Sequence, residues 1–154
     1  MSHHQLHADK LLVFPRLTRR NHRITSEEDE DYNCYAWAVG DDTKWWSPVR
    51  GYYWPDGVPR DTNSIESYIA AFTTEGFVVC ADGAVEPGIE KIAIYVHPNG
   101  RPKHAALQLS TGRWTSKLGA WEDIEHESEN DVAGDCQECY GEAHIYMQRP
   151  RATQ

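Results

Sequence analysis

Hydrophobic and polar residues follow two rhythms along this chain, and glycine, proline and asparagine mark the changeovers. Asn33-Cys34-Tyr35-Ala36-Trp37-Ala38 comes after an acidic run from Ser26 to Asp31 and precedes Gly40-Asp41-Asp42. Small and aromatic residues after an Asx and before a glycine predict a short helix capped by Asp31 or Asn33. Ile65, Ile69 and Phe72 recur at helical spacing, so Ser64 to Gly76 is a second predicted helix, capped by Thr62 or Asn63. Most of the remaining chain has the strand rhythm. Phe77 to Cys80 is a short apolar strand, and Lys91–Val96, His104–Leu109 and Arg113–Leu118 form a meander across two glycine turns. Tyr140 to Met147 is a last strand, Leu11 to Phe14 an edge strand or extended arm, and 16–31 a loop. The acidic stretch from Ala120 to Glu129 is read as loop or short helix, and 1–10 and 150–154 as disordered ends. The sum is a single α+β domain over 1–154, with a cysteine-bearing helix packed on a small antiparallel sheet.

The second meander turn fixes a register. If Ser110-Thr111-Gly112 closes a three-residue hairpin, Gly112 takes the left-handed position, Leu109 faces Arg113 and Gln108 faces Trp114. Alternation then puts His104, Ala106 and Gln108 on one face with Trp114, Ser116 and Leu118. Ser116 lies diagonally across from His104, within hydrogen-bond reach.

Composition narrows the function. The formal charge is −9, from 15 Lys and Arg against 24 Asp and Glu, which argues against a nucleic-acid surface. No apolar run is long enough to span a membrane, and Leu11 to Phe14 is too short for a signal peptide's core. The expected location is the cytoplasm, with non-classical export open. Cysteines at 34, 80, 136 and 139 are too sparse for a disulfide framework, so reduced thiols are expected. Six Trp, most of them between Trp37 and Trp54, indicate an aromatic loop that covers a core or walls a cleft.

Cys34 in the first turn of a helix has two readings. Free cysteine packs as a small hydrophobe, but a helix start also favours the thiolate, the nucleophilic form. A histidine brought against it would take the thiol proton, and a third polar group would orient the ring. The order of the elements resembles the NlpC-type branch of the papain-like cysteine peptidases. The matching pieces are Asn33-Cys34, then His104-Ala105-Ala106-Leu107-Gln108-Leu109 with its Thr111-Gly112 turn, then Ser116. The sequence also resembles a group of small bacterial domains of this architecture that brings no activity with it. Shared features are Asn-Cys-x-Ala-Trp-Ala at 33–38, Trp-Trp-x-Pro at 45–48, Glu-Lys-Ile-Ala at 90–93, Trp-Thr-Ser-Lys-Leu-Gly at 114–119 and Asp-Ile-Glu-His at 123–126.

The resemblance implies a papain-like fold and a thiol hydrolase or transferase acting on an amide or isopeptide bond. In it Cys34 attacks, His104 is base and then acid, and Ser116 or Asp123 orients His104, with His126 a further alternative. Ser116 departs from the stronger orienting residues of that branch. Tyr32 and the Cys34 backbone N–H would meet the oxyanion, and Trp45, Trp46, Trp54 and Gln108 would line the cleft. The implied partner is a peptide or protein substrate, either cell-wall peptide or the target of a translocated effector, and no cofactor is expected. Two other readings stand beside it. One is a catalytically silent binding or immunity-type module. The other is a zinc-stabilised domain using Cys136 and Cys139, for which a lone Cys-x-x-Cys with His126 or His144 is a weak ligand set; thiols on a surface loop are the plainer reading.

Overall fold

The computed structural model describes residues 4–152. It is a mixed α/β fold built on one seven-stranded antiparallel sheet with few helices. In chain order the strands are β1 (His22–Ser26), β2 (Val78–Cys80), β3 (Ile89–Val96), β4 (Pro102–Gln108), β5 (Trp114–Lys117), β6 (Asp123–His126) and β7 (Glu142–Pro150). Their spatial order is β1-β6-β5-β4-β3-β7-β2. Strands β3 to β6 form a meander, β7 returns to pair with β3, and the short β1 and β2 close the edges. The helices are α1 (Ala8–Leu11), α2 (Cys34–Ala38) and α3 (Ile65–Thr73), with a 3₁₀ turn over Glu129–Val132.

The hairpin register is as the turn chemistry requires. Gly112 has φ +92°, its N–H donates to the Leu109 carbonyl, and Gln108 and Leu107 face Trp114 and Thr115. Two layers cover the sheet. On one face α2, α3 and the aromatic loop pack Tyr35, Trp46, Trp54, Tyr68 and Phe72 over Ile92, Ile94 and Ala105. On the other, Leu6, Phe14, Leu17 and the 129–140 segment pack over Ala93, Tyr95, Ala106 and Trp114. Each face is built by strand alternation: Ile94 and Ala105 pair on the first, Tyr95 and His104 on the second.

Four expectations need correction. The N-terminal segment is not a disordered end where it is described, because Leu6 and Phe14 are buried on the sheet and α1 lies between them; residues 1–3 and 153–154 lie outside the described set. Part of the predicted 16–31 loop is β1, and the acidic 120–129 stretch contains β6, with Ile124 opposite Ile24. There the buried Asp123, Ile124 and His126 outweigh the solvated glutamates around them. Leu11 to Phe14 is the end of α1 and a turn rather than a strand.

Asp41 holds the aromatic loop. Its carboxylate accepts from the Thr43 N–H at 2.8 Å, the Thr43 hydroxyl at 2.6 Å and the Trp46 indole N–H at 2.9 Å, and pairs with Lys44 at 3.0 Å. Burial alone would raise this carboxyl, but those donors hold it well below the usual carboxylate range. A depressed folded-state pKa stabilises the fold above the unfolded value near 4 and is lost as pH falls below it. Asp41→Asn is therefore expected to lower stability by about 1–2 kcal/mol at pH 7 and to flatten the acid limb below pH ~4. Thermal melts of both proteins from pH 7 to pH 2 check this.

Candidate functional site

Asn33 sets the start of the cysteine helix. Its backbone is extended, and its Oδ1 accepts from the Ala36 N–H at 3.3 Å and the Trp46 N–H at 3.1 Å. Its amide donates to the Trp46 carbonyl at 2.7 Å. Of the two predicted caps it is thus Asn33, not Asp31, that serves. Cys34 is next and is 6 % exposed. Burial pushes its thiol up to about 12, against the pull of the Ala105, Tyr35 and Cys34 backbone N–H groups and the Lys117 ammonium. Tyr35, Tyr68 and Tyr140 surround it: burial raises all three hydroxyls, and negative charge on Cys34 would raise them further.

His104 lies on β4, one residue before the alanine whose N–H meets the sulfur. It is fully buried between Tyr95, edge-on at 5.1 Å, and Tyr140, stacked at 4.1 Å with the rings 2° from parallel. Its Nε2 is 3.0 Å from the Ser116 hydroxyl oxygen, as the hairpin register predicts. That oxygen is 2.8 Å from His126 Nε2, and His126 Nδ1 is 2.8 Å from the Ser128 carbonyl. Among the described residues His104 Nδ1 has no hydrogen-bond partner. A buried polar atom left in this state costs about 1–3 kcal/mol, and buried polar groups are otherwise almost always paired.

The two halves of the site lie on opposite faces of the sheet, on either side of β4. Helix α2 covers the Ala105 face, where the Trp37 indole donates to Thr115 at 3.0 Å, while His104 points to the other face with Tyr95. The β4–β5 pairing extends only to Leu107 opposite Thr115, and beyond it the Ala105 N–H is turned to the sulfur rather than to β5. No hydrogen bond joins Cys34 to His104. Burial holds the imidazole well below its usual pKa, with the neighbouring His126 adding to the effect, so both groups are neutral in this conformation. A thiolate–imidazolium pair is therefore not held in this conformation.

Other predicted residues are engaged elsewhere. Asp123 accepts from Thr25 and, at 2.8 Å, from the Tyr32 hydroxyl. It faces Lys117 on the α2 side of the sheet, so it does not orient His104 and leaves Tyr32 no free hydroxyl for an oxyanion. Trp46 and Trp54 are core residues, with indoles bonded to Asp41 and the Pro59 carbonyl. Trp45, half-buried beside Tyr52, alone of the three keeps open surface. Gln108 is buried and donates to the Gly83 carbonyl at 2.6 Å. Cys136 and Cys139 are joined as a disulfide, not held as separate thiols. Among the described residues no group of three or more His, Cys, Asp or Glu is placed to hold a metal ion.

The model of a family described as a domain of unknown function, DUF7689, matches residues 23–148. The chain belongs to that family. Neither a curated protein nor a solved structure matches it. The DUF7689 match takes in Cys34, His104, Ser116, His126 and Tyr140, and leaves α1 and the segment around Phe14 outside. Among the described residues no helix is long and apolar enough to cross a membrane.

Two neighbours of the site went unrecognised in the sequence. Tyr140 stacks on His104 because Gly134 and Gly141 bridge the base of its loop. Gly141 has φ +86°, and a Cβ there would run into the Val96 carbonyl, so only glycine fits. Lys117 is buried, with its ammonium 4.6 Å from the Tyr32 ring and donating to the Asp29 and Gly119 carbonyls at 2.6 Å each. The alternation of Ile124 and His126 against Asp123 and Glu125 could have signalled β6. Nothing local signals Tyr140.

Proposed function

We propose that this domain is a papain-like, NlpC-type thiol hydrolase or transferase acting on an amide or isopeptide bond, with Cys34 as nucleophile and His104 as its base. The observation that carries the reading is the unpartnered, buried Nδ1 of His104, one residue from the N–H that meets the Cys34 sulfur. A general base needs one ring nitrogen free and the other held, and Ser116 holds the other. Cys34 then attacks the carbonyl as its proton passes to Nδ1, and the imidazolium returns that proton to the leaving amine. Because both groups start neutral, the transfer accompanies attack instead of preceding it. The Cys34 and Tyr35 N–H groups, already directed at the sulfur, are the nearest backbone donors for the developing oxyanion. Cell-wall peptides, or a protein targeted by a translocated effector, are the substrate classes that go with this reading.

A second reading is a silent binding module of the same fold, favoured by the closure of Cys34 under three tyrosines. Alkylation by iodoacetamide separates the two. The enzyme reading expects Cys34 to be modified at a rate that falls in His104→Gln; a rate indifferent to His104 favours the silent module.

A further inference from the structure

We propose that His126 is a positioning residue that acts through Ser116 to keep the proton of His104 on Nε2 and its Nδ1 bare. The proposal rests on the Cys34–His104 reading and adds what makes Nδ1 a base rather than a donor. At the far end of a hydrogen-bonded chain, the Ser128 carbonyl can only accept, so His126 Nδ1, 2.8 Å away, carries a proton. Burial pushes the His126 pKa down to about 4, so at neutral pH the ring is uncharged and its Nε2 is a lone pair. Ser116 Oγ, 2.8 Å from that lone pair, must donate to it. The single hydroxyl proton is then used, and Ser116 can only accept from His104 Nε2 at 3.0 Å. His104 therefore has its proton on Nε2, and its Nδ1 is the lone pair that the proton of Cys34 needs. The opposite tautomer would set two lone pairs against each other at 3.0 Å.

The relay spans three consecutive elements of the meander: His104 on β4, Ser116 on β5 and His126 on β6. The 3₁₀ turn anchors its end, because the Ser128 N–H and hydroxyl both donate to Asp131, at 2.9 and 3.2 Å, which fixes the carbonyl presented to His126. A serine is a weak orienting group by itself. With His126 behind it, it transmits an orientation set by the backbone.

Nitrogen-15 long-range correlation spectra of histidine-labelled protein report the tautomer of His104 directly, with no substrate. The wild-type ring is expected to show an unprotonated Nδ1 at pH 7. In His126→Leu, Ser116 is free to donate to His104, so both tautomers should appear and iodoacetamide alkylation of Cys34 should slow about ten-fold, well short of the ~10⁴ lost with a wholly wrong tautomer. His126→Gln keeps an acceptor oxygen and should retain the wild-type pattern, which guards against a leucine variant that fails to fold. A proton on Nδ1 in the wild type, or an unchanged tautomer in folded His126→Leu, overturns the proposal. A wild-type Nε2–H pattern together with Cys34 alkylation indifferent to His104→Gln sinks the enzyme reading while leaving the relay in place.

Discussion

Cys34→Ala and His104→Gln are each expected to lower kcat/KM for an activated acyl substrate by about 10³-fold or more, with the fold intact. In the proposed mechanism nucleophile and base act as a unit, so the double variant should be no worse than the poorer single one. Neither change opens the core widely. Cys34 to alanine removes one sulfur from a site already flanked by Tyr35 and Tyr68, and glutamine keeps an N–H to offer Ser116 where His104 offers Nε2. Far-ultraviolet circular dichroism and melting temperature, read beside turnover of p-nitrophenyl acetate, separate lost chemistry from lost structure.

Tyr140→Ala should have the second-largest effect, in the opposite direction. Cys34 is 6 % exposed, and Tyr140 lies both on the His104 ring and within electrostatic reach of the sulfur. Its loop is held at the base by the Gly134–Gly141 bridge and at the tip by the Cys136–Cys139 disulfide, and it is otherwise largely solvent-facing from Asp135 to Glu138. Such a segment opens more cheaply than the sheet beneath it. An aromatic stack is worth about 0.5–1.5 kcal/mol beyond its buried area, so losing it and part of that area should raise alkylation of Cys34 roughly ten-fold. Cys80, half-buried on the edge strand β2, reports general reactivity in the same chain and should not change. An unchanged Cys34 rate in Tyr140→Ala would place the cover elsewhere, on Tyr35 or Tyr68.

How much of the molecule is legible in the sequence depends on how local each cause is. The Thr111-Gly112 turn is local, so the β4–β5 register and the His104–Ser116 contact come from turn chemistry alone. The Asn33 cap and the stop at Gly40, φ +87°, are equally local. Strand β6 is hidden because its exposed neighbours are acidic, while its reason for existing is the burial of Ile124 and His126 by distant residues. The misassignment of Asp123 has the same root. An Asp is the better partner for an imidazolium in principle, but strand alternation turns Asp123 toward Tyr32 and leaves His126 facing Ser116. Burial itself is not legible, and burial decides that Cys34 and His104 are neutral here and not an ion pair. The aromatic loop shows both outcomes: structural cover describes Trp46 and Trp54, while Trp45, alone of the three tryptophans expected to line a cleft, keeps open surface.

If this domain is a thiol enzyme, one sulfur becomes an acyl carrier with the help of one imidazole. Peptide mapping by mass spectrometry after brief exposure to p-nitrophenyl acetate at pH 7 puts that to the test without a known substrate. An acetyl group is expected on Cys34, with little on Cys80, and the Cys34 adduct should be lost in His104→Gln. Acetyl groups spread over Cys80 and surface lysines, with Cys34 unmodified even in Tyr140→Ala, would contradict it.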